Sequence, residues 1–337
     1  MADKMHGFGL GVISENAKGA ILDVFYPTPL GDVTGPLSDA VSGVCGRLDR
    51  SDLKTLANNA RSAGDEALAA LSDRLSESPA SVVASSLAAN VAPVSVEDAY
   101  LKLHMLSHRL VKPHGTDLTG VFGLLPNVAW TDEGPIDLSE LAERQLSARL
   151  KGKVLEVASV DKFPKMTNYV VPEGVRIAHS AGVRLGAYLG AGTTVMHEGF
   201  INFNAGTAGP GMVEGRISAG VMVGKGSDLG GGCSTMGTLS GGGNMIISVG
   251  EECLIGANAG LGIPLGDRCT IEAGLFITAG TKVTVLDDAK QAVETTAARY
   301  LAGRSDLLFR RNSQSGSVEC LTNKTAIELN ESLHAHN

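Results

Sequence analysis

A carboxylate and a guanidinium stand two residues apart in the segment MVEGRIS, at Glu214 and Arg216. Residues two apart point to the same face of a β-strand, so the two side chains could act together. The carboxylate can accept a proton or attack an electrophile, and the guanidinium can bind a second carboxylate through two parallel hydrogen bonds. The alternative is an exposed ion pair without a chemical role.

A repeat of six residues predicts the structure that carries this pair. A parallel β-helix buries one aliphatic residue per hexapeptide, three hexapeptides form one coil, and each buried side chain lies over the one eighteen residues earlier. Aliphatic residues follow this pattern in runs at Val171, Ile177, Val183, Leu189, Val195 and Ile201, at Ile217, Val223 and Leu229, at Val249, Ile255 and Leu261, and at Leu265, Ile271, Ile277 and Val283.

The repeat is interrupted twice, near the residues of chemical interest. Ile201 and Ile217 are sixteen residues apart, and Leu229 and Val249 are twenty apart, where a multiple of six is expected. Extra residues in a stacked coil must leave it as loops. We therefore predict loops within AGTAGPGMVEGR and STMGTLSGGGNM, with Glu214 at the end of the first loop.

Three regions are expected along the chain, and the fold class is mainly β. Residues 1–165 are predicted to form an α/β domain, residues 166–286 the β-helix, and residues 287–337 a C-terminal extension. In the extension, DDAKQAVETTAARYL predicts a short helix, and LLFRRNSQSGSVECL predicts a pair of strands over the last coil.

The first region contains recognisable helix and strand signals. One helix is expected after the Ser95 cap, another begins at Asp137 with Glu140 in a box-like pattern, and a third covers residues 62–76. The segment GVISENAKGAILDVFYP predicts two strands around the turn Glu15–Gly19.

Composition excludes several classes of function. Acidic residues outnumber basic ones by 36 to 28, and the formal net charge of −8 argues against a nucleic-acid surface, which needs clustered Lys and Arg. No apolar run reaches the roughly eighteen residues of a membrane span, and no secretory signal is recognised. We expect a cytoplasmic protein with no membrane partner, whose five scattered cysteines are reduced thiols.

Two histidine pairs could hold a metal ion or simply pack. His179 and His197 are eighteen residues apart, so they should lie on one face of adjacent coils, but the repeat contains no third histidine. His104 and His108 have helical spacing without the acid of an HExxH motif. Packing is therefore the prediction for both pairs.

Several segments together indicate a family. VMHEGFINFNAGT, MVEGRISAGVMVGKGSDLGGG, SGGGN, IGANAGLGIPLGD and LLFRRNS resemble the tetrahydrodipicolinate N-succinyltransferases, in the longer form with an enlarged N-terminal domain. The resemblance covers roughly residues 95–337. It implies a left-handed β-helix, a homotrimer, and transfer of succinyl from succinyl-CoA to the amine of L-2-amino-6-oxopimelate, the open form of tetrahydrodipicolinate, in lysine and diaminopimelate biosynthesis.

The resemblance also implies roles for individual residues. Glu214 matches the catalytic glutamate, either as a nucleophile that forms an acyl-anhydride or as the base for direct attack, and Arg216 would bind a substrate carboxylate. Glu198 matches a carboxylate that binds Mg²⁺ on the threefold axis, while Ala181 stands where some relatives have a second acid. Matches along the succinyl-CoA path are Gly231, Ser234, Ala257, Glu272, Ala273, Gly280, Lys290, Arg310, Arg311, Asn312 and Ser313.

Two other functions remain open from the sequence. One is a different hexapeptide-repeat acyltransferase, such as an acetyltransferase, in which His197 would have to serve as the base. The other is a non-enzymatic assembly protein, although the glycine-rich segments beside Glu214 and Arg216 argue against uniform polar loops.

Overall fold

The computed structural model describes residues 4–237 and 245–322. Contacts divide the chain into two compact units. The first comprises residues up to 111, 115–164 and 168–170, and the second comprises residues 112–114, 165–167 and those from 171 onward.

The first unit begins with an antiparallel sheet. Its strands are ordered β2-β1-β5-β4, and β3 also pairs with β1. Two strands flank the turn after Glu15 as predicted, and the Asn16 side chain closes this turn by accepting from Lys18 N and Ala20 N. The strands are β1 (Met5–Glu15), β2 (Ile21–Phe25), β3 (Leu30–Val33), β4 (Gly46–Leu48) and β5 (Val82–Leu87).

Three helices accompany this sheet: α1 (Gly35–Val41), α2 (Arg50–Ser62) and α3 (Glu66–Ser76). The predicted helix over 62–76 was partly wrong, because the chain turns at Gly64, whose φ is +85°, and α3 begins only at Glu66. Asp49 caps α2 in a reciprocal capping box with Asp52, which was not among the predicted caps.

The rest of the first unit contains α4 (Val96–Ser107), α5 (Val121–Leu124), α6 (Leu138–Leu150), and a sheet of β7 (Gly134–Asp137), β6 (Val128–Thr131) and β8 (Val157–Asp161). Ser95 caps α4 as predicted, since its side chain accepts from Asp98 N. Asp137 caps α6, but Glu140 accepts from Ala17 N rather than completing a box.

The second unit contains parallel sheets that the chain visits in turn, which is the arrangement of a parallel β-helix. One sheet is β10-β13-β16-β19, and another is β12-β15-β18-β21-β23. The third contains β9, β11, β14, β17, β20, β22 and β26. Short 3-10 helices cover Met166–Asn168, Ser180–Gly182 and Ala298–Leu301.

The strands of the second unit are short, with two or three residues each through most of the repeat. In chain order they are β9 (Arg176–Ile177), β10 (Ala187–Leu189), β11 (Thr193–Val195), β12 (Phe200–Ile201), β13 (Ala205–Thr207), β14 (Gly211–Val213), β15 (Arg216–Ile217), β16 (Met222–Val223), β17 (Asp228–Leu229), β18 (Ser234–Thr235), β19 (Ser248–Val249), β20 (Leu254–Ile255), β21 (Gly260–Gly262), β22 (Thr270–Ile271), β23 (Phe276–Thr278), β24 (Lys282–Leu286), β25 (Ala292–Ala297), β26 (Leu307–Arg311) and β27 (Val318–Thr322).

The predicted inward column is present. Along one side, the residues that stack from coil to coil are at most 1% exposed, and they are Val183, Ile201, Ile217, Thr235, Leu261 and Ile277. The column does not include Val171, which is 61% exposed. Burial of these branched side chains, at about 25 cal/mol per Å² of apolar surface, holds successive coils together.

The first predicted loop is absent, and the chain instead takes a shortened corner. Thr207 and Val213 continue the six-residue step after Ile201 and are buried, so the next inward residue, Ile217, follows Val213 by four positions and not six. The polar Thr207 concealed the register, because its hydroxyl is satisfied inside the coil by Thr193 Oγ1 at 2.6 Å. This coil is therefore two residues shorter than eighteen, not longer.

The second interruption does hold an insertion. Val223 pairs with Val249 across twenty-six residues, eight more than one regular coil. The extra residues follow Thr235, in the segment where a loop was predicted. Residues 238–244 of that segment lie outside the described residues.

The C-terminal extension forms strands where a helix was predicted. β24 and β25 make an antiparallel hairpin over much of DDAKQAVETTAARYL, because Val293, Thr295 and Thr296 favour a strand and Asp287 closes the turn by accepting from Gln291 N. The predicted strand pair is confirmed as β26 and β27, and β26 also pairs with β22 of the repeat.

Candidate active site

Glu214 lies in the shortened corner between β14 and β15. Its backbone N donates to Leu229 O at 2.8 Å, and its carbonyl accepts from Gly232 N at 3.3 Å. The residue is half-buried. Both bonds join the residue to the next coil, so the backbone of this corner is fixed.

Gly215 makes this corner possible. A Cβ added at Gly215 would lie 2.3 Å from Cys233 Sγ and 2.6 Å from Cys233 O, distances that no side chain could tolerate. Burial raises the pKa of the Cys233 thiol to about 12, with a further contribution from the negative charge of Glu214. Cys233 is therefore a neutral packing residue and not a second nucleophile.

Arg216 and Ser234 lie side by side on adjacent strands. Arg216 donates to Ser234 Oγ from Nε at 3.1 Å and from Nη2 at 2.8 Å. The ion pairs found in the described residues do not include one between Arg216 and Glu214. The alternative of an exposed ion pair therefore has no support. Glu214 lies in the corner before β15 and not on that strand, so the predicted shared strand face is absent, and joint action of the two residues stays a prediction.

Glu198 and Gly231 lie on the corners before and after that of Glu214. A Cβ added at Gly231 would lie 3.7 Å from Glu214 Oε2 and 3.9 Å from Glu198 Oε2. Because both distances start from the same point, the two carboxylate oxygens are at most 7.6 Å apart. The absence of a side chain at Gly231 thus leaves a space that both carboxylates border, which we call the Gly231 recess.

A strip of small exposed residues extends from the recess along the same corner of the next coils. Asn258 N donates to Gly231 O at 2.9 Å, and Gly274 N donates to Ala257 O at 2.8 Å. Ala257 and Ala273 are both exposed. The strip ends at Glu272, whose Oε2 accepts from Arg311 N at 2.7 Å. Gly280 is exposed as well, with open space around its Cα.

The C-terminal cations have different surroundings. Arg310 forms an ion pair with the buried Glu319 at 2.9 Å, and Asn312 Nδ2 donates to the other oxygen of Glu319 at 2.8 Å. Their charges and dipoles therefore hold β26 to β27. Arg311 is exposed and donates from Nη1 to Gly316 O, and Ser313 is exposed in the following turn.

Lys290 lies apart from the arginines within one chain. It occupies the turn of the β24–β25 hairpin, with a φ of +60°. Lys282 and Arg311 lie at the opposite end of the strands, because Val283 pairs with Val318 and Val318 pairs with Arg311. Because a strand rises about 3.3 Å per residue, the length of β24 places Lys290, in the turn, about 16 Å from Lys282 at the start of the strand.

The histidine pairs pack as expected. The rings of His179 and His197 are 5.1 Å apart between centroids, and both residues are exposed. His104 is fully buried: its Nδ1 contacts Tyr100 O at 2.8 Å, and its Nε2 accepts from Tyr26 N at 3.2 Å. Burial lowers the pKa of His104 to about 3, so it packs as a neutral ring.

A resident metal ion has little support in this chain. The described residues contain no group of three or more His, Cys, Asp or Glu side chains placed to hold an ion. Glu198 borders the Gly231 recess, and Ala181 supplies no second acid. Mg²⁺ is thus not supported by the described residues of one chain, and an axial site with Glu198 from each of three chains stays a prediction.

No helix in the described parts of the chain combines the length and apolar character needed to cross a membrane.

Two family patterns match. Residues 125–165 match the pattern described as the middle part of tetrahydrodipicolinate N-succinyltransferase, and residues 246–279 match the hexapeptide repeat of succinyl-transferase.

Relatives match over the whole chain. The 2,3,4,5-tetrahydropyridine-2,6-dicarboxylate N-succinyltransferase of Pseudomonas aeruginosa is 63% identical over 100% of both chains, and that of Vibrio cholerae is 57% identical over 98% of both. A crystal structure from Campylobacter jejuni, assigned as a 2,3,4,5-tetrahydropyridine-2-carboxylate N-succinyltransferase, has a TM-score of 0.86 and 33% identity, covering 96% of this chain and 94% of that one. The chain belongs to the tetrahydropyridine-dicarboxylate N-succinyltransferase family.

Proposed function

We propose that this enzyme transfers succinyl from succinyl-CoA to the amine of L-2-amino-6-oxopimelate, the open form of tetrahydrodipicolinate, in lysine and diaminopimelate biosynthesis. The observation that carries the proposal is the fixed corner in which Glu214 borders the Gly231 recess, with Arg216 held beside Ser234. Full-length relatives at 57–63% identity carry the name of this reaction.

The chemistry needs one carboxylate at the reacting centre. In direct transfer, the amine nitrogen attacks the thioester carbon, its proton passes to Glu214, and the C–S bond breaks to release CoA. In the two-step route, Glu214 attacks the thioester carbon and CoA leaves as its thiolate. The amine then attacks the succinyl carbon of the acyl-anhydride, the C–O bond to Glu214 breaks to restore its carboxylate, and the amine proton passes to the CoA thiolate. Both routes require Glu214 in its ionised form and give the same products.

The donor would lie along the strip of small residues. The succinyl carboxylate would pair with Arg216, which Ser234 orients, and the pantetheine arm would follow Gly231, Ala257 and Ala273, where small side chains let it approach the backbone. Glu272, Gly280, Lys290, Arg310, Arg311, Asn312 and Ser313 are proposed for the rest of the CoA path. Arg310 and Asn312 would act by holding the strand that presents Arg311.

The assembly belongs to the same proposal. We take the β-helix to be left-handed and the enzyme to be a cytoplasmic homotrimer, with the α/β domain, the β-helix and the C-terminal strands as its regions. Three chains would let Lys290, which is remote from Arg311 in its own chain, serve the donor site of a neighbour. Size-exclusion chromatography with light scattering tests this directly, and a monomer that is active would contradict it.

Release of CoA thiol tests the reaction. The enzyme should release CoA from succinyl-CoA in the presence of tetrahydrodipicolinate or its analogue 2-aminopimelate, and much more slowly from acetyl-CoA. No release with the dicarboxylic acceptor would overturn the proposal. Equal rates with acetyl-CoA would instead favour an acetyltransferase.

A further inference from the structure

We infer that Asn258 binds the first amide group of the donor's pantetheine arm and so sets how far the thioester reaches toward Glu214. The inference rests on the proposed function and adds a residue to that same site. Its basis is the Asn258 carboxamide, which lies on the strip of small residues one coil beyond the Gly231 recess.

The backbone joins Asn258 to the recess. Asn258 N donates to Gly231 O at 2.9 Å, so the two residues lie on the same corner of adjacent coils. Their neighbours on this corner, Gly232, Ala257 and Gly274, have no polar side chain. Asn258 is exposed, so on this stretch of the strip its carboxamide is the side-chain group that can form a hydrogen bond with a ligand.

The side chain of Asn258 is turned toward the recess. A Cβ added at Gly232 would lie 2.5 Å from Asn258 Oδ1 and 3.5 Å from Asn258 Cγ, whereas a Cβ added at Gly274 would have no atom within 4 Å. The carboxamide therefore covers the corner on the side of Glu214 and leaves the next coil open. The hydrogen bonds of the described residues do not include one from Asn258 Nδ2, so this donor is available to a ligand.

Backbone conformation alone does not account for an asparagine at this position. Asn258 has a φ of +56°, in the left-handed region that Gly and Asn tolerate best. Glu252 and Arg268 have the same conformation on another corner of the coils, with a φ of +55° each. Such a corner thus accepts other side chains, and the carboxamide of Asn258 has a reason beyond backbone geometry.

The donor has a matching group at a matching distance. Two methylene groups separate the sulfur of CoA from the first amide nitrogen of the pantetheine arm, a length close to the coil spacing of about 4.8 Å. A thioester that lies in the Gly231 recess therefore brings this amide beside Asn258, one coil away. Asn258 Nδ2 then donates to the amide oxygen, and this bond holds the thioester carbon against Glu214.

Truncated donors test the inference directly. The succinyl thioester of N-acetylcysteamine keeps the first amide, and the S-pentyl thioester has the same chain length without it. With 2-aminopimelate as acceptor, the unmodified enzyme should have a kcat/KM about fivefold higher for the first donor, because the second cannot form the hydrogen bond. Asn258→Gly removes the same bond and should bring this ratio below about twofold. A ratio that stays the same in Asn258→Gly would overturn the inference.

Steady-state kinetics with succinyl-CoA measure the effect on the complete donor. In Asn258→Gly the KM for succinyl-CoA should rise about fivefold, while kcat and the KM for 2-aminopimelate stay within about twofold. Glycine tolerates the positive φ, so the Tm should not fall. The matched control is Glu252→Gly, at a corner where a Cβ added at Gly226 would lie 3.3 Å from Glu252 Cγ. This control should leave all three constants unchanged.

Asn258→Asp separates hydrogen-bond donation from shape. The variant keeps the size of the side chain but loses the Nδ2 donor, so the KM for succinyl-CoA should rise as in Asn258→Gly. A normal KM in Asn258→Asp would overturn donation by Nδ2.

Two further results would overturn the inference and leave the proposed function standing. A kcat about a hundredfold lower at an unchanged KM would place the carboxamide of Asn258 at the reacting carbonyl. A lower Tm in Asn258→Gly but not in Glu252→Gly would make Asn258 a structural residue. Failure of the proposed function has a different signature, because the unmodified enzyme would then release no CoA from succinyl-CoA.

Discussion

Arg216 and Ser234 form a two-bond contact across adjacent coils, with Arg216 Nε and Nη2 3.1 and 2.8 Å from Ser234 Oγ. One hydroxyl therefore fixes the plane of the guanidinium. In the described part of the chain Nη1 has no protein acceptor, so it can bind a ligand. This contact gives the site a means of recognising a donor with a terminal carboxylate.

Ser234→Ala should weaken selection of the donor. Without Ser234 Oγ the guanidinium loses its fixed orientation, and the KM for succinyl-CoA should rise about tenfold. The KM for acetyl-CoA should not change, because acetyl has no carboxylate to bind Arg216. The KM for each donor is measured, and the control is Ser218→Ala, which removes a hydroxyl that donates to Thr235 O at 2.7 Å and not one that accepts from Arg216. An equal loss with both donors would contradict the assignment.

Gly215→Ala should disrupt the corner that holds Glu214. The new methyl group would lie 2.3 Å from Cys233 Sγ, so the coils must separate locally, at a cost of about 1–3 kcal/mol. Thermal unfolding should show a lower Tm, and CoA release should fall with it. Gly280→Ala adds the same methyl group in open space and should leave the Tm unchanged. A normal Tm for Gly215→Ala would show that the corner can widen freely.

Substitution of Arg310 should lower the stability of the fold, whereas substitution of Arg311 should weaken binding of the donor. Arg310→Ala leaves the buried carboxylate of Glu319 without its ion pair and should lower the free energy of unfolding by about 1–3 kcal/mol. Arg311→Ala should raise the KM for succinyl-CoA with little change in Tm, because its side chain is exposed. Thermal unfolding and donor titration of both variants provide the comparison. Reversed effects would contradict the separation of roles.

Acid should destabilise the first unit through His104. Below its unfolded pKa of 6.5, the unfolded chain binds a proton at His104 that the folded chain does not bind until pH falls to about 3. Stability is therefore fully present above pH 6.5 and falls by about 1.4 kcal/mol per pH unit below it. Denaturant unfolding between pH 7 and 5 should show this slope, reduced in His104→Gln. His197 is exposed, so the control variant His197→Gln should keep the full slope of the free energy of unfolding against pH. A slope that is unchanged in His104→Gln would show that His104 is not its cause.

The sequence predicted those features that depend on a regular apolar period. Val183, Ile201 and Ile217 were placed in the core because one branched residue at each sixth position is enough to specify a coil. The cap at Ser95 and the strand pair from Leu307 were likewise visible as local patterns.

The sequence did not predict where polar residues take apolar positions. Thr207 and Thr235 both occupy inward positions of the six-residue repeat. Without Thr207 in the pattern, the shortened corner between Val213 and Ile217 looks like an insertion. The closeness of Glu198 to Glu214 follows from that corner and was therefore missed. The segment around Val293 was read as a helix, although its β-branched residues pair with β24, because helix and strand patterns are hard to separate in a short polar stretch.

The most direct test of the account is the turnover of Glu214→Gln. Gln keeps the size of the side chain but can neither accept the proton nor attack the thioester, so kcat should fall about a hundredfold or more. Binding of CoA and the Tm should remain as in the unmodified enzyme. A variant that binds CoA and still turns over succinyl-CoA and 2-aminopimelate at a near-normal rate would contradict the central role of Glu214.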